Sequence, residues 1–251
     1  MQTPKGRKLT KRERRIRRQQ GAEEGSTQTN DRFNFTLKAV SPLTENQHNT
    51  FDSYRSGKHL LLIGSPGTGK TYLSIYLGMN DIMEQGLYDK MIIVRSIVAS
   101  RDIGFLPGTA KDKSKVYEAP YYSIFSELFG RGDAYEYLKN KGVVEFMNTS
   151  FVRGITLDNA VVIIDESQNL TWHEVSSIFS RMGKNCKVMF VGDTRQNDLL
   201  SKRDTEATGI YNLIKVVDNM REFDKIVYTS DDIVRSGLVK SFIKTCERLG
   251  L

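Results

Sequence analysis

Two cysteines and three histidines in 251 residues leave little room for metal or disulfide chemistry. Cys186 and Cys246 are isolated, with no partner at the spacing of a zinc pair or a redox motif, so they read as thiols of a reducing compartment. His48, His59 and His173 form no ligand pattern, and ordinary structural roles are expected for them. No apolar run approaches the roughly 18 residues of a membrane-spanning helix, and no signal peptide is recognisable. The expectation is a soluble, cytoplasmic protein with no membrane partner.

Acidic residues are also scarce in one place. Residues 1–20 hold nine Lys or Arg against Glu13 alone, a charge of +8, which leaves the rest of the chain at −1 from a total of +7. A like-charged block with few apolar residues repels itself, so residues 1–30 read as a disordered basic tail and linker. Two uses are open for it: an arm that tracks phosphates with little sequence preference, or a solvated leader. With 39% hydrophobic and 27% charged residues, residues 31–251 suffice for one α/β domain. Strands are expected near 59–63, 91–95, 143–146, 161–165, 187–192 and 226–229, separated by helix-length segments. That alternation predicts a mainly parallel sheet with helices on both faces.

What is present is a nucleotide-binding loop. Gly64-Ser65-Pro66-Gly67-Thr68-Gly69-Lys70-Thr71 follows a short apolar strand and precedes a helical pattern over Tyr72 to Met83. This is the strand–loop–helix order of a Walker A motif. Its glycines let backbone N–H groups turn onto phosphate oxygens, Lys70 can reach the β- and γ-phosphates, and the Thr71 hydroxyl can ligate Mg²⁺.

A second element supplies carboxylates. Val161-Val162-Ile163-Ile164 is a buried-strand pattern ending in Asp165-Glu166, a Walker B strand that opens onto the ligand edge of an α/β sheet. Asp165 is placed to hold Mg²⁺, directly or through water, and Glu166 to act as general base or water-orienting group. Upstream, Gln47 begins a helical stretch and offers a donor and an acceptor side by side, as reading adenine N6 and N7 requires, which favours ATP. Thr171-Trp172-His173-Glu174 is a capping box starting a helix through about Met182. The next strand ends in Gly192-Asp193-Thr194-Arg195-Gln196, where Gln196 can sense the γ-phosphate or hold the attacking water. Asp193 can support the metal shell or orient Gln196; a polar turn before a helix is the ordinary alternative for this segment.

With these residues in hand, the chain from about Thr44 onward resembles the PhoH-like ATPases of bacteria and their phages. The resemblance is carried by Gly64–Thr71, by Ile103-Gly104-Phe105-Leu106-Pro107-Gly108, and by Phe151-Val152-Arg153-Gly154-Ile155-Thr156-Leu157 leading into Asp165-Glu166-Ser167-Gln168-Asn169. Gly192–Gln196 and Asp232-Ile233-Val234-Arg235 complete it. Two departures stand out: Ser96 and Arg101 lie where the family has an Arg-Pro and Gly-Glu pattern, and Ser167 replaces the common Ala. Larger relatives carry an N-terminal PIN ribonuclease; the residues ahead of Thr44 lack its acidic metal cluster, and no nuclease is expected.

The resemblance implies a RecA-like P-loop ATPase related to superfamily 1 helicase cores. Its implied partners are ATP, Mg²⁺ and single-stranded RNA or DNA, in a bacterial cell or a phage-infected host. Such cores sandwich ATP between two RecA-like domains and this chain has room for one, so a second copy is expected to supply the other wall. The resulting homo-oligomer is a ring, by resemblance a hexamer. Arg235, then Arg153, are the candidates for an arginine finger acting in trans. A nucleotide-gated nucleic-acid-binding protein and a P-loop small-molecule kinase are the competing readings.

Overall fold

The computed structural model describes residues 33, 35–96, 110–193 and 209–250, with side chains described from residue 115 in the middle stretch. The basic tail, the Gly104–Gly108 segment and Gln196 lie outside the described residues. Phe35–Leu251 form one compact unit.

Six strands build its sheet: β1 (His59–Gly64), β2 (Lys90–Arg95), β3 (Val144–Asn148), β4 (Ala160–Asp165), β5 (Lys187–Gly192) and β6 (Phe223–Tyr228). They run in the order β3-β2-β4-β5-β1-β6, and every pairing is parallel. Strands covered on both faces need apolar side chains pointing both ways, which is why β4 and β5 are buried at every position. β6 sits at the edge, where exposed Lys225 and Val227 interrupt the burial. That broken pattern explains why the sequence places this strand three residues late, at 226 instead of Phe223.

Seven α-helices accompany the sheet among the described residues: α1 (Glu45–Arg55), α2 (Lys70–Met83), α3 (Ala110–Phe129), α4 (Ala134–Asn140), α5 (Trp172–Phe179), α6 (Gly209–Val217) and α7 (Gly237–Leu249). On one face, Leu61, Ile63, Ile92, Val94, Val162, Ile164, Val188 and Phe190 pack against Val175 and Ile178 of α5 and Ile210 and Leu213 of α6. Alternate strand residues face the other side, where α2 lies close at Gly78. A Cβ there would come within 2.6 Å of Met91 Cε and 2.9 Å of Val161 Cγ1. The fold is therefore a RecA-like P-loop arrangement, with β5 between the Walker A strand β1 and the Walker B strand β4.

Thr171 and Glu174 form the expected capping box, but α5 stops at Phe179 instead of continuing to Met182. The last residues of that span are needed elsewhere: the Leu157 N–H donates to Arg181 O at 2.8 Å, and the Gly183 N–H donates to Leu157 O at 2.8 Å. Pairing with the approach to β4 wins over one more helical turn. Cys186 and Cys246 are free thiols, both half-buried. Among the described residues no helix is long and apolar enough to cross a membrane.

Candidate nucleotide-binding site

β1 ends at Gly64, where the backbone takes φ +120° and passes so close to β6 that a Cβ would lie 1.9 Å from Tyr228 O. Only glycine can make this turn. Gly67 and Gly69 follow with φ of 72° and 84°, and Gly69 caps α2, whose first residues open on a cavity of about 990 Å³. Pro66, Gly67, Thr68, Gly69, Lys70 and Thr71 line it, with Asp165, Glu166 and Asp193 opposite. A helix N-terminus under a loop of inward N–H groups suits phosphate.

Lys70 is buried and donates to Gly64 O at 2.8 Å, Ser65 O at 2.7 Å and Thr68 Oγ1 at 3.3 Å. Burial pushes its pKa down, while Asp193, Glu166, Asp165 and Asp232 pull the other way. Three backbone and hydroxyl acceptors are weaker partners for an ammonium than a polyphosphate, so exchange onto a ligand is chemically favourable. Ser65 also reaches outside the loop, donating to Glu247 Oε1 of α7 at 3.2 Å.

The carboxylates are held in an ordered set. Thr71 Oγ1 donates to Asp165 Oδ1 at 3.0 Å, and the Tyr121 hydroxyl of α3 donates to Asp165 Oδ2 at 2.8 Å. Burial, with Glu166 alongside, pushes the Asp165 carboxyl pKa up. Glu166 has φ 51°, a left-handed conformation that costs a non-glycine residue of order 1–3 kcal/mol and is a feature of functional turns. Its Oε2 accepts from Gln168 Nε2 at 2.6 Å, its Oε1 lies 3.7 Å from Arg95 Nη2, and Gln168 Oε1 accepts the Asp193 N–H at 2.9 Å.

The converging Thr71 hydroxyl and Asp165 carboxylate are a hard-oxygen pair of the kind Mg²⁺ takes together with substrate phosphates. Among the described residues no group of three His, Cys, Asp or Glu could hold a metal alone. The Thr71–Asp165 pair thus fits a nucleotide-borne Mg²⁺.

Gln47 stands beside the P-loop, but its amide is committed to backbone: Nε2 donates to Thr68 O at 3.0 Å and Oε1 accepts the Leu43 N–H at 2.7 Å. At 3% exposure it acts here as a tie between α1 and the loop. Arg235 lies against its own P-loop, with Cγ 3.0 Å from where a Gly67 Cβ would be, and the preceding Val234 N–H donates to Gly67 O at 3.2 Å. Arg153 is elsewhere: exposed, beyond the cavity lining, with Nη2 3.1 Å from His173 Nδ1. Pro120, Ser123, Ile124 and Glu127 of α3 also line the cavity.

Sequence reasoning missed Arg95 and Tyr121. Arg95 stands at the carboxyl end of β2, in register with Asp165, and the rule that found Asp165 would have found it. Tyr121 sits in no motif, and its place at the site depends on how α3 packs.

The family described as PhoH-like protein matches residues 39–247 of the chain. The PhoH-like protein of Bacillus subtilis is 33% identical over 74% of this chain and 57% of its own length. Protein PhoH of Escherichia coli is 29% identical over 77% of this chain and 54% of its own length. The chain thus spans between half and three-fifths of these relatives. Among solved structures, the large terminase of a thermophilic bacteriophage is similar at a TM-score of 0.48 and 14% identity, over 81% of this chain and 50% of the terminase. With its Walker A loop on β1 and its Asp-Glu pair at the end of β4, the chain belongs to the PhoH-like protein family.

Proposed function

We propose that this chain is a Mg²⁺-dependent ATPase whose turnover is coupled to binding or unwinding of single-stranded nucleic acid, RNA in the first instance. The observation that carries the hydrolytic part is Glu166, one residue beyond Asp165, facing the P-loop cavity and oriented by Gln168 and Arg95. The P-loop N–H groups and Lys70 bind the phosphates. Bound Mg²⁺, held through Thr71 and Asp165, would neutralise charge on the β- and γ-oxygens. Glu166 takes the proton of a water whose oxygen bonds to the γ-phosphorus as the bridging P–O bond breaks, and ADP leaves with the electron pair.

Lys70, Arg95 and Arg235 all belong to the one chain and border the cavity, so the charge expected of a finger in trans has sources in cis. Assembly is a separate matter. α7 has no buried residue and exposes Leu238 at 81%, Phe242 at 67% and Leu249 at 62%. This supports an oligomer, with a closed, hexameric ring as the form the family resemblance implies. The +8 tail supports nucleic acid as partner.

The test is phosphate release by the purified chain with and without Mg²⁺ and single-stranded RNA or DNA. Mg²⁺-dependent release stimulated by the strand is the expected result. Release without stimulation removes the coupling, and ATP binding without release leaves a nucleotide-gated binding protein. Phosphate transfer to a small metabolite would make it a kinase.

A further inference from the structure

Two turns at the carboxyl edge of the sheet expose aromatic rings outside the nucleotide cavity. Phe151, in the 3₁₀ turn after β3, is 62% exposed, and Trp172, which opens α5 after β4, is 37% exposed. The turns are fastened to each other: Thr149 Oγ1 donates to Glu174 Oε1 at 2.6 Å, and Arg153 Nη2 meets His173 Nδ1 at 3.1 Å. The residues that these turns expose are Ser150, Phe151, Arg153, Gly154, Trp172, His173 and Ser176, and none is acidic. The nearby Glu174 carboxylate is spent on Thr171 and Thr149.

Exposed rings beside an exposed guanidinium, with the nearby Glu174 carboxylate turned onto Thr171 and Thr149, match the surface on which bases of a single strand stack. Aromatic and arginine side chains are enriched at protein interfaces as well; what favours a nucleic acid here is the lack of an exposed carboxylate in either turn, together with the +8 charge of residues 1–20. We propose that Phe151 and Trp172 form a base-stacking platform for single-stranded nucleic acid, with Arg153 and His173 contacting the phosphate backbone; this rests on the nucleic-acid partner proposed above. The platform is joined to the hydrolytic residues by a short path. Ser167–Thr171 connect Glu166 to Trp172, and the buried Gln168 in that stretch holds Glu166.

Trp172 is the sole tryptophan of the chain, so its fluorescence reports on this surface alone. The full-length protein is titrated with dye-labelled oligouridylate and oligothymidylate at low salt. Anisotropy of the dye measures binding, and tryptophan emission measures stacking. Binding should quench Trp172, and Phe151→Ala should weaken binding by about 5- to 150-fold, the range for losing one base–aromatic stack. Basal ATP hydrolysis should not change, because the ring is exposed and outside the cavity. An oligomer with abasic sites should bind wild type weakly and be indifferent to Phe151→Ala. Binding without quenching, or with Phe151→Ala neutral, would overturn the platform while leaving nucleic acid as a partner. No anisotropy change with either strand, with or without nucleotide, would overturn the nucleic-acid reading itself and the platform with it. A change in sedimentation of Phe151→Ala with unaltered oligonucleotide binding would make the surface an interface between copies and refute the proposal.

Discussion

The Tyr121 hydroxyl donates to Asp165 Oδ2 at 2.8 Å, from a side chain with no exposed area, while Thr71 takes Oδ1. α3 thereby fixes the rotation of the Walker B carboxylate from the side opposite the P-loop. Removing that donor leaves a buried carboxylate oxygen without its bond, a loss of about 1–3 kcal/mol in stability. Tyr121→Phe is therefore expected to lower the unfolding free energy by that amount and to raise the Mg²⁺ concentration for half-maximal hydrolysis, with Mg²⁺-free nucleotide affinity unchanged. Denaturant titration and fluorescent-nucleotide binding across a Mg²⁺ series measure all three. An unaltered Mg²⁺ requirement would leave Tyr121 a packing residue.

Lys70 and Glu166 occupy the same cavity but act at different stages. Lys70→Ala should abolish ATP binding, because the buried ammonium is the cation set deepest in the loop. Glu166→Gln should keep binding and lower kcat by about 10²–10⁴-fold, since the group acts on the attacking water and not on bound ATP. Paired binding and single-turnover measurements separate the two; near wild-type kcat in Glu166→Gln would remove it from the mechanism.

Arg235 touches its own P-loop at Gly67, and the consequence reverses what the sequence alone leads one to expect. An arginine serving a neighbouring copy would let Arg235→Ala and Lys70→Ala subunits restore activity when mixed. One serving its own chain would not. No regain of phosphate release on mixing is expected, and clear complementation would move Arg235 into the neighbour's site.

Ser167 opens the 3₁₀ turn that follows the Walker B strand. Its hydroxyl is buried and has no hydrogen-bond partner among the described residues, with Gly192 so near that a Cβ there would fall 2.5 Å from Oγ. Ser167→Ala deletes a desolvated polar atom and should raise stability by about 1 kcal/mol with turnover intact. A drop in urea midpoint would mean that the hydroxyl is satisfied in solution.

Asp232 bears on pH. Burial pushes its carboxyl pKa up, but hydrogen bonds from the Thr229 N–H, the Asn46 amide and the Thr44 and Thr229 hydroxyls outweigh this and hold it below the ordinary value. The folded state thus binds its proton less readily than the unfolded chain. The stability this contributes is fully present above the unfolded carboxylate pKa of about 3.9 and is lost as pH falls through the lower folded value. Asp232→Asn should destabilise the protein at neutral pH, with the gap to wild type narrowing below about pH 4. A gap independent of pH would assign the effect to geometry and not to charge.

The sequence by itself determined the parts of the site in which a local pattern and a chemical need coincide. Glycines at 64, 67 and 69 must adopt backbone angles that other residues resist, and a continuous β-branched run before Asp165 reads as a strand buried on both faces wherever it sits in the sheet. The edge strand β6 and the end of α5 were less legible, because solvent on one side and pairing of Arg181 and Gly183 with Leu157 override local preference. What the tertiary structure alone decided is which distant groups meet. Tyr121 reaches Asp165 because α3 packs over the carboxyl edge of the sheet, and Gln47 ties α1 to the P-loop because α1 lies against Thr68. Arg235 faces its own nucleotide loop because β6 is hydrogen-bonded beside β1, so the chain leaving it must pass over Gly67. Spacing along a chain records periodicity and turn chemistry; contacts between remote segments follow from strand order and helix packing, and no local pattern encodes those.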